Sequence, residues 1–175
     1  MYRPARELGD PFTLTIDRDG RRVTHPDEGS ASVRKPEIWV FGCSFTFSWG
    51  VDDAETYLAV LQRAMPDFEI VNFGVGGYGT LQSLMQLERE IRAGRRAALT
   101  VLAYADFHDK RNVLTPARLK TVGYQWQGWG EVGQPYVVLG PQGELIRRNS
   151  QGGYQHSGLA KSPRLARDRL DEGRR

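Results

Sequence analysis

The chain has 175 residues, 39% of them hydrophobic and 26% charged, with a formal net charge of +3. That length supports one domain with a real core, and the composition is that of a globular protein rather than a disordered or collagenous one. No run approaches the roughly 18 apolar residues of a membrane span, and a lone cysteine, Cys43, excludes an intrachain disulfide and argues against a cysteine-based metal site.

Met1-Tyr2-Arg3-Pro4 lacks the apolar core of a signal peptide, so a cytoplasmic location is the expectation. Residues 12–24 predict a hairpin: Phe12 to Ile16 alternates with period two, Asp17-Arg18-Asp19-Gly20 turns, and Arg21 to Thr24 returns. The segment 25–30 is a loop by composition. Residues 1–35 are therefore expected to be a hairpin extension ahead of the main sheet.

Ile38-Trp39-Val40-Phe41 runs into Gly42, Cys43 and Ser44. A short all-apolar run bounded by turn signals fits a strand buried on both faces, as in the middle of a parallel sheet. The spacing of Asp52 and Glu55 predicts a capping box, followed by a helix whose inner face carries Tyr57, Val60, Leu61, Ala64 and Met65 and which Pro66 ends. Residues 69–73 form the next strand. It enters Gly74-Val75-Gly76-Gly77-Tyr78-Gly79, and a second helix follows with Leu81, Leu84, Met85, Leu87 and Ile91 inward and Gly94 closing it. Residues 97–104 predict a third buried strand. Strand, helix, strand, helix, strand across residues 38–104 is a βαβαβ unit with right-handed crossovers.

Beyond it, residues 106–112 read as a charged loop, and 120–135 carry Trp126, Trp129 and four glycines without a clear period. Residues 136–146 predict a second hairpin around Gly140-Pro141-Gln142-Gly143. From Arg147 to Arg175 seven arginines and one lysine stand against Asp168, Asp171 and Glu172. No aromatic interleaving accompanies that charge, so a solvated, poorly ordered tail over 147–175 is expected rather than a nucleic-acid contact. The main domain would then span 36–146.

Three loops leave one edge of this sheet: the one at Ser44, the glycine loop at 74–79, and the one at 105–112. Open α/β sheets place ligands at that edge. Ser44 is a candidate nucleophile there, against the plainer alternative of a cap or turn residue. The glycine loop admits three readings: a tight strand-to-helix turn, a set of backbone N–H groups for an oxyanion, or a dinucleotide fingerprint. The fingerprint normally opens the first strand of such a unit, whereas this loop follows the second, and the acid expected about 20 residues on could only be Asp106, 27 beyond Gly79; no cofactor is expected. His108 is the one histidine on this edge and a candidate base, with Asp106 or Asp109 nearby. His25 and His156 lie in polar segments and read as solvated, and no histidine–carboxylate spacing suggests a metal.

Gly42-Cys43-Ser44-Phe45-Thr46, then Asn72-Phe73-Gly74-Val75-Gly76-Gly77-Tyr78-Gly79, then the loop after the third strand, together resemble the SGNH (GDSL-type) hydrolase superfamily over about residues 36–112. Cys43 stands where that family usually has aspartate. The resemblance implies a flavodoxin-like three-layer α/β/α fold with a parallel sheet, strand order 2-1-3 at its start, and cleavage of acyl or acetyl esters of small molecules, carbohydrates or lipids. It makes Ser44 the nucleophile and one oxyanion donor and Gly77 a second donor. The family's third motif supplies an asparagine; here Asp106, Phe107 and His108 occupy that place and Asn112 follows later, so His108 or Asn112 is the candidate third donor. The family's Asp-x-x-His is absent. A serine hydroxyl without a base is a poor nucleophile, and a triad lacking a member retains only about 10³–10⁴-fold catalysis over water. The expectation is a truncated, incomplete esterase with little activity, two accessory hairpins and an undetermined oligomeric state. The alternatives are a non-catalytic module binding a ligand around Trp49 and, behind it, a nucleotide binder using the 74–79 loop. The elbow motif of α/β-hydrolases does not fit, because Thr46 stands where its last glycine belongs.

Overall fold

A computed structural model describes residues 12–25, 35–125 and 133–150. Its compact units are Met1–Val113 and Leu114–Arg175. The first holds β1 (Glu37–Gly42), α1 (Ser44–Phe47), a 3-10 turn (Asp53–Glu55), α2 (Tyr57–Ala64), β2 (Glu69–Gly74), α3 (Thr80–Arg92), β3 (Leu99–Leu102) and α4 (Phe107–Asn112). The second holds α5 (Pro116–Gln125), β4 (Pro135–Leu139) and β5 (Leu145–Asn149).

The parallel sheet runs β2-β1-β3, the expected order, with Ile38 opposite Ile70 and Phe41 opposite Phe73. Side chains alternate across a strand, and β1 and β2 are apolar at both parities because both faces are covered. Ile38, Val40 and Ile70 pack with Leu58 of α2, while Trp39, Phe41 and Phe73 pack toward Leu87 of α3. The Phe41 and Phe73 rings stack at 4.5 Å, with Trp39 edge-on to Phe73 at 5.6 Å. Each such buried side chain contributes about 1.5–3 kcal/mol. The fold class is thus a mixed α/β unit with a parallel sheet flanked by helices, plus an antiparallel hairpin.

Several local expectations are corrected. The helix over 57–64 buries Leu58, Ala59 and Gln62, while Tyr57 and Val60 are exposed. Gln62 turns that face inward: its Oε1 accepts from Ile70 N at 2.7 Å and its Nε2 donates to the Phe68 carbonyl at 2.8 Å. In α3 the buried residues are Leu81, Gln82, Ser83 and Glu90, while Leu84, Met85 and Ile91 are exposed. Glu90 goes inside because Arg21 and Arg95 both pair with it. Asp52 is not the helix cap, since its carboxylate accepts from Thr13 N; Thr56 Oγ1 caps α2 by accepting from Ala59 N at 3.1 Å. The third strand is not buried. All four of its residues are exposed, and among the described residues it pairs with β1 alone.

The first hairpin shrinks to one antiparallel bridge, Ile16 to Arg22, although its turn forms as read: Asp17 Oδ1 accepts from Asp19 N and Arg21 N. Thr24 Oγ1 fastens it to β2 by donating to the Ile70 carbonyl at 2.7 Å. The charged loop after β3 is the helix α4, started by Asp106 Oδ1 accepting from Phe107 N at 2.7 Å. Within the second unit the expected hairpin is β4 with β5, which continues through Arg147 and Arg148 to Asn149. Residues 116–125 are helical, with Thr115 Oγ1 accepting from Arg118 N and Pro116 in the first helical position. Trp126, Trp129, His156 and residues 151–175 of the basic tail lie outside the described residues. No helix among the described residues is long and apolar enough to cross a membrane.

Candidate active site

The glycines at the ends of β1 and β2 are paired in register, and Val75 N donates to the Gly42 carbonyl at 3.2 Å. The chain after β1 then closes one helical turn, α1, in which Phe47 N donates to the Cys43 carbonyl at 2.9 Å. Ser44 is the first residue of this turn and is half-buried, and Cys43 before it is buried. Among the described residues Ser44 Oγ has no hydrogen-bond partner. The turn lies directly on β2: Asn72 Nδ2 donates to the Thr46 carbonyl at 3.2 Å, and a Cβ on Gly74 would lie 2.4 Å from Phe47 N.

The glycine loop bends at Gly77, with φ +84°, and delivers the chain to α3 at Gly79. Here α4 closes over it. A Cβ on Gly79 would meet Asn112 Oδ1 at 2.7 Å, Arg111 Cβ at 3.1 Å and the His108 carbonyl at 3.1 Å. Arg111 donates to the Tyr78 carbonyl at 2.7 Å, and Asn112 Oδ1 accepts from Leu81 N at 3.0 Å. Phe107 of α4 in turn meets Phe45 of α1 edge-on at 5.7 Å. Each of the three loops therefore touches the other two, at the point where strand order reverses between β1 and β3.

These contacts bear on the readings of the glycine loop. A pyrophosphate needs open N–H groups at the helix start. At α3, Gly79 N already donates to Gln82 Oε1 at 2.9 Å and Leu81 N to Asn112 Oδ1. That takes two of the N–H groups at the helix start away from the dinucleotide reading.

His108, a candidate base or third donor on a charged loop, is fully buried on α4. Its ring packs edge-on to Tyr104 at 5.6 Å and Phe107 at 5.0 Å. Ala105 N donates to its Nδ1 over a long 3.5 Å, which assigns the proton of the neutral ring to Nε2. Nε2 is buried and has no partner among the described residues. Burial, helped by the Arg111 guanidinium, holds this imidazole below the usual histidine value, with Asp109 acting the other way. His108 is thus neutral near pH 7 and presents an N–H, not a lone pair, at Nε2. Asn112 has its Oδ1 occupied and keeps its Nδ2 as a donor. His25, read as solvated, is half-buried and bonds Glu69 Oε1 at 2.8 Å. Among the described residues no group of three or more His, Cys, Asp or Glu could hold a metal ion.

Two features of the site escaped the sequence reading. One is α4 itself, whose start an aspartate cap at Asp106 could have signalled. The other is Arg22, fully buried, which reaches the loop after Ser44 from the first hairpin. Elsewhere, a cleft of about 1090 Å³ lies beside the outer edge of β2, lined by Asp17, Arg21, His25, Glu69, Glu90 and Arg95 among others. Its charges largely satisfy one another, through Arg21–Glu90, Arg95–Glu90, Arg95–Glu37 and His25–Glu69.

The fold and site define an α/β protein whose loops converge on a serine at the C-terminal edge of a parallel sheet. No family model matches the chain, and no curated protein matches it significantly. Among solved structures it is similar to AlinE4, described as an SGNH-hydrolase family esterase, at 21% identity over 57% of each chain with a TM-score of 0.40. Two variants of that esterase, an aspartate-to-alanine and a serine-to-alanine substitution, match at 22% and 21% identity over 55% of this chain and 56% of theirs, with TM-scores of 0.40 and 0.39. This chain thus spans little more than half the length of these structures.

Proposed function

We propose that the chain carries the nucleophile and oxyanion part of an SGNH-type ester hydrolase. Ser44 Oγ would attack the carbonyl carbon of an acyl or acetyl ester of a small molecule, carbohydrate or lipid. The N–H groups of Ser44 and Gly77, with His108 Nε2 or Asn112 Nδ2, would receive the oxyanion. The observation that carries this reading is the mutual contact of the three loops around the turn that begins at Ser44. His108 is assigned as a donor rather than the base because its Nδ1 already accepts a hydrogen bond. With no partner to take the Ser44 proton among the described residues, turnover should be slow.

The unpartnered Ser44 hydroxyl also favours a second reading, a binding module that holds an ester without cleaving it. Reaction with a fluorophosphonate probe, alongside hydrolysis of p-nitrophenyl acetate, separates the two. The hydrolase reading predicts weak hydrolysis and probe attachment, both lost in Ser44→Ala. Hydrolysis that persists unchanged in Ser44→Ala, or its complete absence together with a lack of labelling, refutes it.

A further inference from the structure

Residues 47–53, in the segment after Ser44, are tied down by a buried arginine. Arg22 donates through Nε to Asp53 Oδ1 at 2.9 Å and through Nη1 to the carbonyls of Phe47, at 3.2 Å, and Ser48. Its Nη2 donates to the carbonyls of Val51, at 2.6 Å, and Thr13, at 3.2 Å. A guanidinium has five N–H donors, and all five are used. Its side chain is 0% exposed and that of Asp53 3%. Taking such a pair out of water carries a desolvation penalty that only good geometry and saturated hydrogen bonding offset.

What this arrangement holds outward is apolar. Trp49 is 57% exposed and Phe45 70%, within five residues of Ser44. Trp49 stacks on Phe47 at 6.0 Å and meets Phe12 edge-on at 6.0 Å, while Phe45 rests against Phe107. Exposed aromatic rings on an untethered loop would fold back onto the nearest apolar surface. Here the backbone on both sides of Trp49 is tied at residues 47, 48 and 51, and Phe45 is carried by α1, so the rings stay at the surface. Ser48, at φ +60°, sets the turn between them.

We infer that Arg22 is a positioning residue: it fixes the 47–53 segment so that Trp49 is held beside Phe45 of α1, and the two rings form a preorganised apolar platform beside Ser44, which receives the nonpolar acyl portion of an ester. The inference rests on the Ser44 hydrolase reading for its substrate class. α1, which carries Ser44 and Phe45, is held by its own backbone bonds and by Asn72, and Arg22 reaches only the carbonyl of its last residue, Phe47. Loss of Arg22 should therefore weaken recognition of the acyl chain far more than attack by Ser44.

The test compares p-nitrophenyl hexanoate with p-nitrophenyl acetate on the full chain. Wild type should favour the hexanoate, and Arg22→Gln should lose about tenfold in kcat/KM on it, mostly as a higher KM, against about twofold or less on the acetate. Trp49→Ala should reproduce that split, and low-millimolar guanidinium should restore the preference in Arg22→Ala by refilling the donor site. An equal loss on both esters, or an unchanged hexanoate preference in Arg22→Gln, overturns the inference. Should wild type show no Ser44-dependent hydrolysis, the hydrolase reading fails by itself, and the platform is then read by binding. Hexanoate anion should saturably change the emission component of Trp49, obtained by subtracting Trp49→Phe, in wild type but not in Arg22→Gln. Absence of that change in wild type overturns the platform.

Discussion

Two glycines three residues apart in the same loop should respond oppositely to the same substitution. At Gly79 an added methyl would lie 2.7 Å from Asn112 Oδ1 and 3.1 Å from both Arg111 Cβ and the His108 carbonyl; at Gly76 nothing lies within 4 Å. Neither position has a left-handed φ, so backbone strain plays no part. To accommodate Gly79→Ala, α4 must withdraw, and Asn112 must give up the bond it accepts from Leu81 N. Overpacking costs about 1–3 kcal/mol and a lost hydrogen bond about 1 kcal/mol, with partial overlap between the two, so about 2 kcal/mol is expected. For a unit of this size that corresponds to a fall in Tm of roughly 10 °C. Gly76→Ala should shift stability by no more than about 0.5 kcal/mol, or raise it slightly by restricting the unfolded chain. Thermal melts of the two variants in parallel decide the matter. Equal Tm shifts, or a neutral Gly79→Ala, would show that α4 does not close over the glycine loop, and the convergence of the three loops would fail with it.

Stability should fall with acidity through His108. Its folded value is depressed, so the unfolded chain binds the proton first; stability is fully present above the unfolded value of about 6.5 and is lost as pH falls below it. Melts from about pH 7.5 to about 5.5 should show a declining Tm whose slope flattens in His108→Gln, and an unchanged slope in that variant would refute the assignment. Thr56→Ala, which removes the side-chain cap of α2, should cost about 1 kcal/mol in denaturant titrations.

Much of the fold was legible because its signals are local. The apolar runs at 38–41 and 69–73, the glycines that follow them and the helical stretches between them dictate a βαβαβ unit whatever lies elsewhere in the chain. Gly94, at φ +79°, ended its helix as its type predicts, and Ser44 and the glycine loop were placed on one edge by strand direction alone. Helix faces were less legible, because apolar periodicity assumes that polar residues face water. Gln62 and Glu90 go inside when partners distant in sequence satisfy them: the former bonds the chain entering β2, the latter pairs with Arg21 and Arg95. The same limit explains Arg22. Nothing near it in sequence marks it as a core residue, and its bonds to Phe47, Ser48, Val51 and Asp53 span 25 to 31 residues. A buried guanidinium is tolerable only where carbonyls from separate segments converge, and that convergence exists only once the chain has folded. Local residue types therefore determined the βαβαβ unit and the sheet edge where the serine sits, while the tertiary structure decided which polar groups go inside and hold the loop that follows it.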